Sequence, residues 1–223
     1  MVQPWPTPYN RYMPRLTYRF FGGTALYPKI KALGHYPDYL WWVLRGKPVR
    51  SPHLLKQKTV LAYGKKHQLR TLVETGTYHG EMVHAALGHF DRIYSIELNP
   101  EWAAFAHRRF ARHPEVHIVE GSSQQKVPEV LAGINEPSLF WLDAAYYGSG
   151  AQGGNITRLL AELQAILSHH VRGHVVLMDD ARTFTGTGVD GAMTAAQLAA
   201  KIEREFPGRK VVIERDIFRI TRR

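Results

Sequence analysis

The stretch Leu69-Arg70-Thr71-Leu72-Val73-Glu74-Thr75-Gly76-Thr77-Tyr78-His79-Gly80 decides the fold. A β-rich apolar run from Leu69 to Glu74 meets a turn with glycines at 76 and 80, and a helical stretch, Glu81 to His89, follows at once. A strand feeding a helix through such a turn is the opening unit of a parallel sheet with helices on its faces. Gly76 permits a tight turn, and Gly80 lets backbone and ligand approach the helix start closely. By itself, the turn fits any α/β protein that reverses direction there.

Further along, strands are expected at Arg92 to Glu97, Val116 to Glu120, Leu139 to Asp143 and His174 to Met178. Helices are expected at Pro100 to Arg112, Ser123 to Ala132, Ile156 to His169 and Ala192 to Phe206. Continuous apolar runs such as Val175-Val176-Leu177-Met178 read as strands buried on both faces. Val211 to Glu214 and Ile217 to Thr221 are separated only by Arg215 and Asp216, too short a link for a crossover, so they pair antiparallel. The expectation is an α/β fold, a doubly wound, mostly parallel seven-stranded sheet with an antiparallel C-terminal strand. Ligands in such sheets bind beyond the carboxyl ends of the strands, where strand order reverses.

Composition narrows the chemistry. None of the 223 residues is cysteine, which excludes disulfides, cysteine-ligated metals and a thiolate nucleophile. There is no run of about 18 apolar residues and no apolar signal-peptide core, so a cytoplasmic protein is expected. The first 70 residues hold thirteen Lys or Arg against one acid, Asp38, so the net charge of +10 resides entirely in that segment. Aromatic residues, including Trp5, Tyr36, Tyr39, Trp41 and Trp42, interleave with those charges. Residues 1–68 are therefore read as a basic, aromatic, partly helical extension before a domain at 69–223. Helices are expected near Asp38 to Arg45 and from Ser51 to Lys66, the second with an apolar face through Leu54, Leu55, Lys58, Leu61 and Ala62. Such an extension suits nucleic acid or an anionic membrane surface, with peripheral membrane attachment as a corollary, or else packs on the domain as a solvated appendage.

The second strand supplies the first chemical signal. Glu97 ends it 23 residues after Glu74, the spacing at which a carboxylate accepts hydrogen bonds from a ribose diol. The alternative is an acid at a helix start beside Asn99. The twelve histidines show no metal-ligand spacing, and His84, His89, His107, His113 and His117 read as surface or helix-face residues.

Taken together, VETGTYHG, IYSIELNPEW, VHIVEGSS and LFWLDAAYYG resemble the successive motifs of class I S-adenosylmethionine methyltransferases over Leu69 to Thr221. The resemblance implies S-adenosylmethionine as cofactor. It places Glu74 near the cofactor's amino and carboxylate end, the turn of Gly76, Thr77, Tyr78 and Gly80 along its ribose and methionine moieties, and Glu97 on the ribose hydroxyls. Ser122 stands where the family usually has an adenine-binding aspartate. The turn lacks the middle glycine of G-x-G-x-x-G, which makes room for a pyrophosphate in NAD enzymes.

Asp143 ends the fourth strand, and Asp179 and Asp180 end the fifth. Neighbouring strand ends put three carboxylates around one mouth, where their repulsion invites a cation, and hard oxygen ligands suit Mg²⁺. The arrangement is similar to the metal site of catechol-type and macrolide-sugar O-methyltransferases. Asp143 and Asp180 are the expected catalytic residues. Alternatively Asp143 orients the methionine amine or the acceptor, and one of the pair caps the next turn. Tyr146 stands where catechol-type enzymes have a lysine base, so the base is open among Asp180, His79 and His174. The loop from Ala144 to Asn155 reads as an acceptor-binding lid, and Arg182 to Gly191 invites the same reading.

The expected activity is O-methylation of a small molecule or glycan, assisted by Mg²⁺. RNA ribose methylation through the basic segment is the second enzyme reading; the fourth-strand motif is not the D-P-P-Y type used for base nitrogens, and C5 chemistry lacks its cysteine. A non-catalytic cofactor-binding or membrane-surface module is the third.

Overall fold

The computed structural model describes residues 27–47, 50–143, 155–187 and 193–223, with the side chains of 27–35, 155 and 158 outside the description. The expected lid residues 144–154, with Tyr146, and residues 188–192 of the second loop also lie outside it.

Strands β1 (Thr71–Thr75), β2 (Arg92–Glu97), β3 (Val116–Glu120), β4 (Leu139–Leu142), β5 (Val175–Met178), β6 (Arg209–Glu214) and β7 (Ile217–Arg222) form one sheet. Its order is β3-β2-β1-β4-β5-β7-β6, parallel except at β7, which runs antiparallel to both β5 and β6. The expected doubly wound sheet and its reversed C-terminal strand are both present. Strand order reverses between β1 and β4, which pair side by side.

The apolar runs are continuous because both faces are covered. In β4, Phe140 and Leu142 enter a core with Val73, Val176, Met178, Leu163 and Leu198, while Leu139 and Trp141 enter a second core with Leu72, Val175, Leu177 and Met82. Helices α5 (Ser123–Ala132), α6 (Asn155–Leu167) and α7 (Ala195–Glu205) cover the first face. The second is covered by α2 (His53–Lys66), α3 (Glu81–Ala86) and α4 (Pro100–Arg109).

Three sequence expectations change. Helix α1 runs Tyr27–Leu44 straight through Pro37. Proline removes a backbone donor, so pattern reading starts that helix only after it. The buried side of α2 is Leu55, Thr59, Val60 and Gly64, not the face through Leu54, Lys58 and Ala62. Gly64 sets this face, because a β-carbon there would lie 2.6 Å from the Phe90 ring. Finally, α2 is no appendage to a domain beginning at 69: Val60 is fully buried in the same core as Leu72 and Leu139. No helix among the described residues is long and apolar enough to cross a membrane.

Candidate functional site

The chain leaves β1 through a turn in which Gly76 (φ 90°), Tyr78 (φ 46°) and Gly80 (φ 69°) take left-handed backbone conformations. Gly76 N–H donates to the Ile96 carbonyl (2.9 Å), tying the turn to β2. Gly80 meets a need other than the expected ligand approach: a β-carbon there would lie 2.5 Å from Phe110, so the residue serves packing and backbone together.

Two buried carboxylates flank this turn. Glu97 accepts from Tyr78 N–H (2.7 Å) on one oxygen and from Asn99 N–H (2.9 Å) on the other. The capping alternative falls to Asn99, whose Oδ1 accepts from Glu101 and Trp102 N–H at the start of α4. Glu74 accepts from Ser95 Oγ (2.7 Å), which in turn lies 2.6 Å from Thr77 Oγ1. Burial pushes the Glu74 carboxyl up to about 8; the Ser95 bond opposes this, and the charges of Asp143 and Glu97 add to it. No salt bridge to Glu74 is present among the described residues, so a cation brought to it would be held strongly. Beyond the turn, Tyr78, His79 and Trp102 pack ring against ring, with centroids 4.0 to 4.8 Å apart.

Ser122 follows Gly121, whose N–H donates to the Glu97 carbonyl (2.8 Å). It is the N-cap residue of α5, yet its hydroxyl makes no capping bond.

Asp143, Asp179 and Asp180 do come together, with one carboxylate oxygen from each within 4.8 Å of the others. Asp179 and Asp180 are buried and Asp143 is half-buried. What the sequence reading missed is Lys56, on α2, whose ammonium pairs with Asp179 Oδ2 and lies 3.7 Å from Asp180 Oδ1. The other Asp179 oxygen accepts from Asp180 N–H (2.8 Å). Asp180, in a left-handed conformation (φ 58°), also accepts from Arg182 Nη1 (2.6 Å), which is shared with Asp216. Burial pushes the Asp179 carboxyl up, Lys56 pulls against this, and the Asp180 and Asp143 charges add to the rise.

These contacts decide how the residues suit Mg²⁺. The donor types are right, but a divalent ion would sit against the Lys56 ammonium, and the Asp179 oxygens are already engaged. The arrangement as folded does not fit the ion unless Lys56 withdraws.

Of the expected bases, His174 lies elsewhere. It directly precedes β5, at the amino end of the sheet, where its Nδ1 accepts from Ser138 N–H (3.1 Å) and its Nε2 lies 2.9 Å from His169 Nδ1. Burial chiefly, with the neighbouring His169 and Arg209, lowers its pKa to about 4. His174 is therefore a structural histidine far from the mouth. His79 is in the β1 turn and Asp180 is committed to Arg182 and Lys56. His117 stacks on Tyr94 (4.9 Å) and His113 pairs with Glu115 (3.2 Å), contacts with no bearing on the site.

No family model matches the chain, and no curated protein matches it by sequence. Solved structures do. The O-methyltransferase TomG from Streptomyces achromogenes, involved in tomaymycin synthesis and solved with S-adenosylmethionine, matches with TM-score 0.58 and 14% identity, over 84% of this chain and 87% of that one. The Podospora anserina methyltransferase solved with S-adenosylhomocysteine matches with TM-score 0.57 and 14% identity, over 100% and 99%. The N-methyltransferase NodS from Bradyrhizobium japonicum matches with TM-score 0.51 and 15% identity, over 75% and 94%. The chain has the class I S-adenosylmethionine methyltransferase fold.

Proposed function

We propose that this chain is an S-adenosylmethionine-dependent O-methyltransferase acting on a small molecule or sugar, with the cofactor along the turn from Gly76 to Gly80 and the acceptor at the carboxylate mouth. The observation that carries the reading is the pair of buried carboxylates, Glu74 and Glu97, at the ends of adjacent strands on either side of that turn. Glu74 takes the cofactor's α-ammonium, the cation its burial calls for. Glu97 uses the lone pairs beyond its two backbone bonds for the ribose diol, and the uncommitted Ser122 hydroxyl serves the adenine amine.

The bound cofactor supplies a methyl group already activated on sulfur, so the chain's task is positioning. Asp143, the half-buried member of the triad, would take the acceptor's hydroxyl proton. O-methylation is favoured because the mouth presents carboxylates to a hydroxyl and because O-methyltransferases such as TomG share the fold. Calorimetric titration with S-adenosylhomocysteine tests the reading: the native chain binds and Glu97→Ala does not. Unchanged affinity in the variant overturns the assignment.

A membrane partner goes with this reading. Helix α1 exposes Tyr36, Leu40, Trp41, Val43 and Leu44, and Arg45 and Lys47 follow it. Aliphatic side chains gain nothing from a nucleic-acid backbone, whereas an aromatic and aliphatic face beside cations suits an anionic bilayer surface. Flotation with phosphatidylserine vesicles, lost in Leu40→Glu/Leu44→Glu, supports it; tight RNA binding without flotation refutes it.

A further inference from the structure

We propose that Lys56 takes the position of a divalent cation at the strand-end carboxylates, making the mouth of this protein a metal-free site closed by helix α2. The inference rests on the methyltransferase reading only for what the mouth is used for.

The geometry makes the case. Lys56 reaches Asp179 and Asp180 from α2, a helix fixed on several sides. Leu55 and Val60 are buried, Val60 in the core shared with Leu72 and Leu139 of the sheet, and Gln57 Nε2 donates to the Glu81 carbonyl (3.1 Å) at the start of α3. Just before the helix, Ser51 Oγ donates to the Arg215 carbonyl (2.6 Å) in the β6–β7 turn. The lysine is thus delivered by a rigid element rather than by a surface side chain that happens to swing in. Its side chain is 15% exposed, and its partners Asp179 and Asp180 are 1% and 2% exposed, so solvent screens the contact little.

The charges are consistent with this role. Of three carboxylates that would repel one another, Asp179 and Asp180 meet Lys56, and Asp180 also meets Arg182, which Asp216 shares. A divalent ion entering the same oxygens would face a fixed ammonium at ligand distance. An ammonium has three donors; Asp179 takes one, and Asp180 Oδ1 at 3.7 Å is a charge partner only. A remaining donor is left for the acceptor's oxygen, which a metal would otherwise polarise. Lysine in place of a metal orients an acceptor but lowers its pKa less, so of the acceptors proposed above the mouth favours acidic hydroxyls, such as phenols or enols, over sugar hydroxyls.

The test is a titration of the full chain with Mn²⁺, following the free ion by electron paramagnetic resonance, alongside calorimetry with S-adenosylhomocysteine. The native protein is expected to take up no stoichiometric Mn²⁺ at millimolar concentrations, and Lys56→Arg, which keeps the charge, to behave the same way. Lys56→Met frees the carboxylates and is expected to bind Mn²⁺ at least about tenfold more tightly than the native chain. One equivalent of Mn²⁺ on the native chain, abolished by Asp179→Asn, overturns the proposal, and so does a folded Lys56→Met with no gain. Where Lys56→Met fails to fold, the native titration decides alone. Failure to bind S-adenosylhomocysteine would remove the methyltransferase reading while leaving the Mn²⁺ outcome standing.

Discussion

Cofactor binding should move protons, and Glu74 says how many. With its carboxyl near pKa 8, about 0.9 of a proton resides on Glu74 at pH 7 in the empty site. Binding an α-ammonium favours the carboxylate and expels that proton. The ligand's own α-amino group, beside a free carboxylate, lies above the peptide α-amino value of about 8 and takes up about 0.1 of a proton at most at the same pH. The net release at pH 7 is therefore about 0.8 to 0.9 proton per S-adenosylhomocysteine bound, and it falls as pH rises through about 8. Calorimetry in buffers of different ionisation enthalpy reads this count directly. Glu74→Gln should abolish the release at pH 7, whereas Asp179→Asn should leave it in place. Tight binding at pH 7 with no release, or an undiminished release from Glu74→Gln, refutes the assignment of Glu74 to the ammonium. The same carboxyl sets a stability trend. A pKa raised on folding contributes stability fully present below the unfolded value near 4.5 and lost as pH rises through about 8. Glu74→Gln should accordingly melt above the native chain at pH 9 without cofactor, an advantage bounded by about 5 kcal/mol.

Other outcomes follow from single contacts. Glu97→Gln keeps the shape but loses the charge that serves the ribose, and its affinity for S-adenosylhomocysteine should fall about tenfold or more by calorimetry. Gly80→Ala combines a left-handed backbone with overlap on Phe110 and should cost about 2 to 4 kcal/mol in denaturant unfolding. His174, whose folded pKa is depressed, contributes stability present above about pH 6.5 and lost as pH falls towards 4. His174→Gln should therefore flatten the acid limb of the melting profile and leave cofactor affinity at neutral pH unchanged.

The sheet was legible because its pattern is local. Leu139 to Leu142 and Val175 to Met178 are apolar at every position, and only strands covered on both faces need that. The acids were legible for a related reason: each lies at or immediately beyond a strand's carboxyl end, and parallel strands bring those ends together. Lys56 was hidden because its partner lies 123 residues away and no periodicity links the two. The buried face of α2 was hidden because Gly64, which carries no hydrophobic signal, sets it by admitting Phe90. His174 stood among the open candidates for the base because a histidine beside a strand gives no sign of which end of the sheet it occupies until the strand's direction is known. Pro37 concealed most of α1, since the energetic penalty that guides pattern reading is absorbed here within a longer helix.

The ties between α2 and the C-terminal half also order events during synthesis. Lys56 leaves the ribosome 123 residues ahead of Asp179, and Ser51 leaves 164 residues ahead of Arg215. At about 5 to 20 residues per second, α2 waits roughly 6 to 25 seconds for its acidic partner. Until Leu139 to Leu142 and then Val175 to Met178 have followed, Val60 lacks the strands whose core it shares. The ion pair that closes the mouth therefore forms long after the helix that carries its lysine has been made.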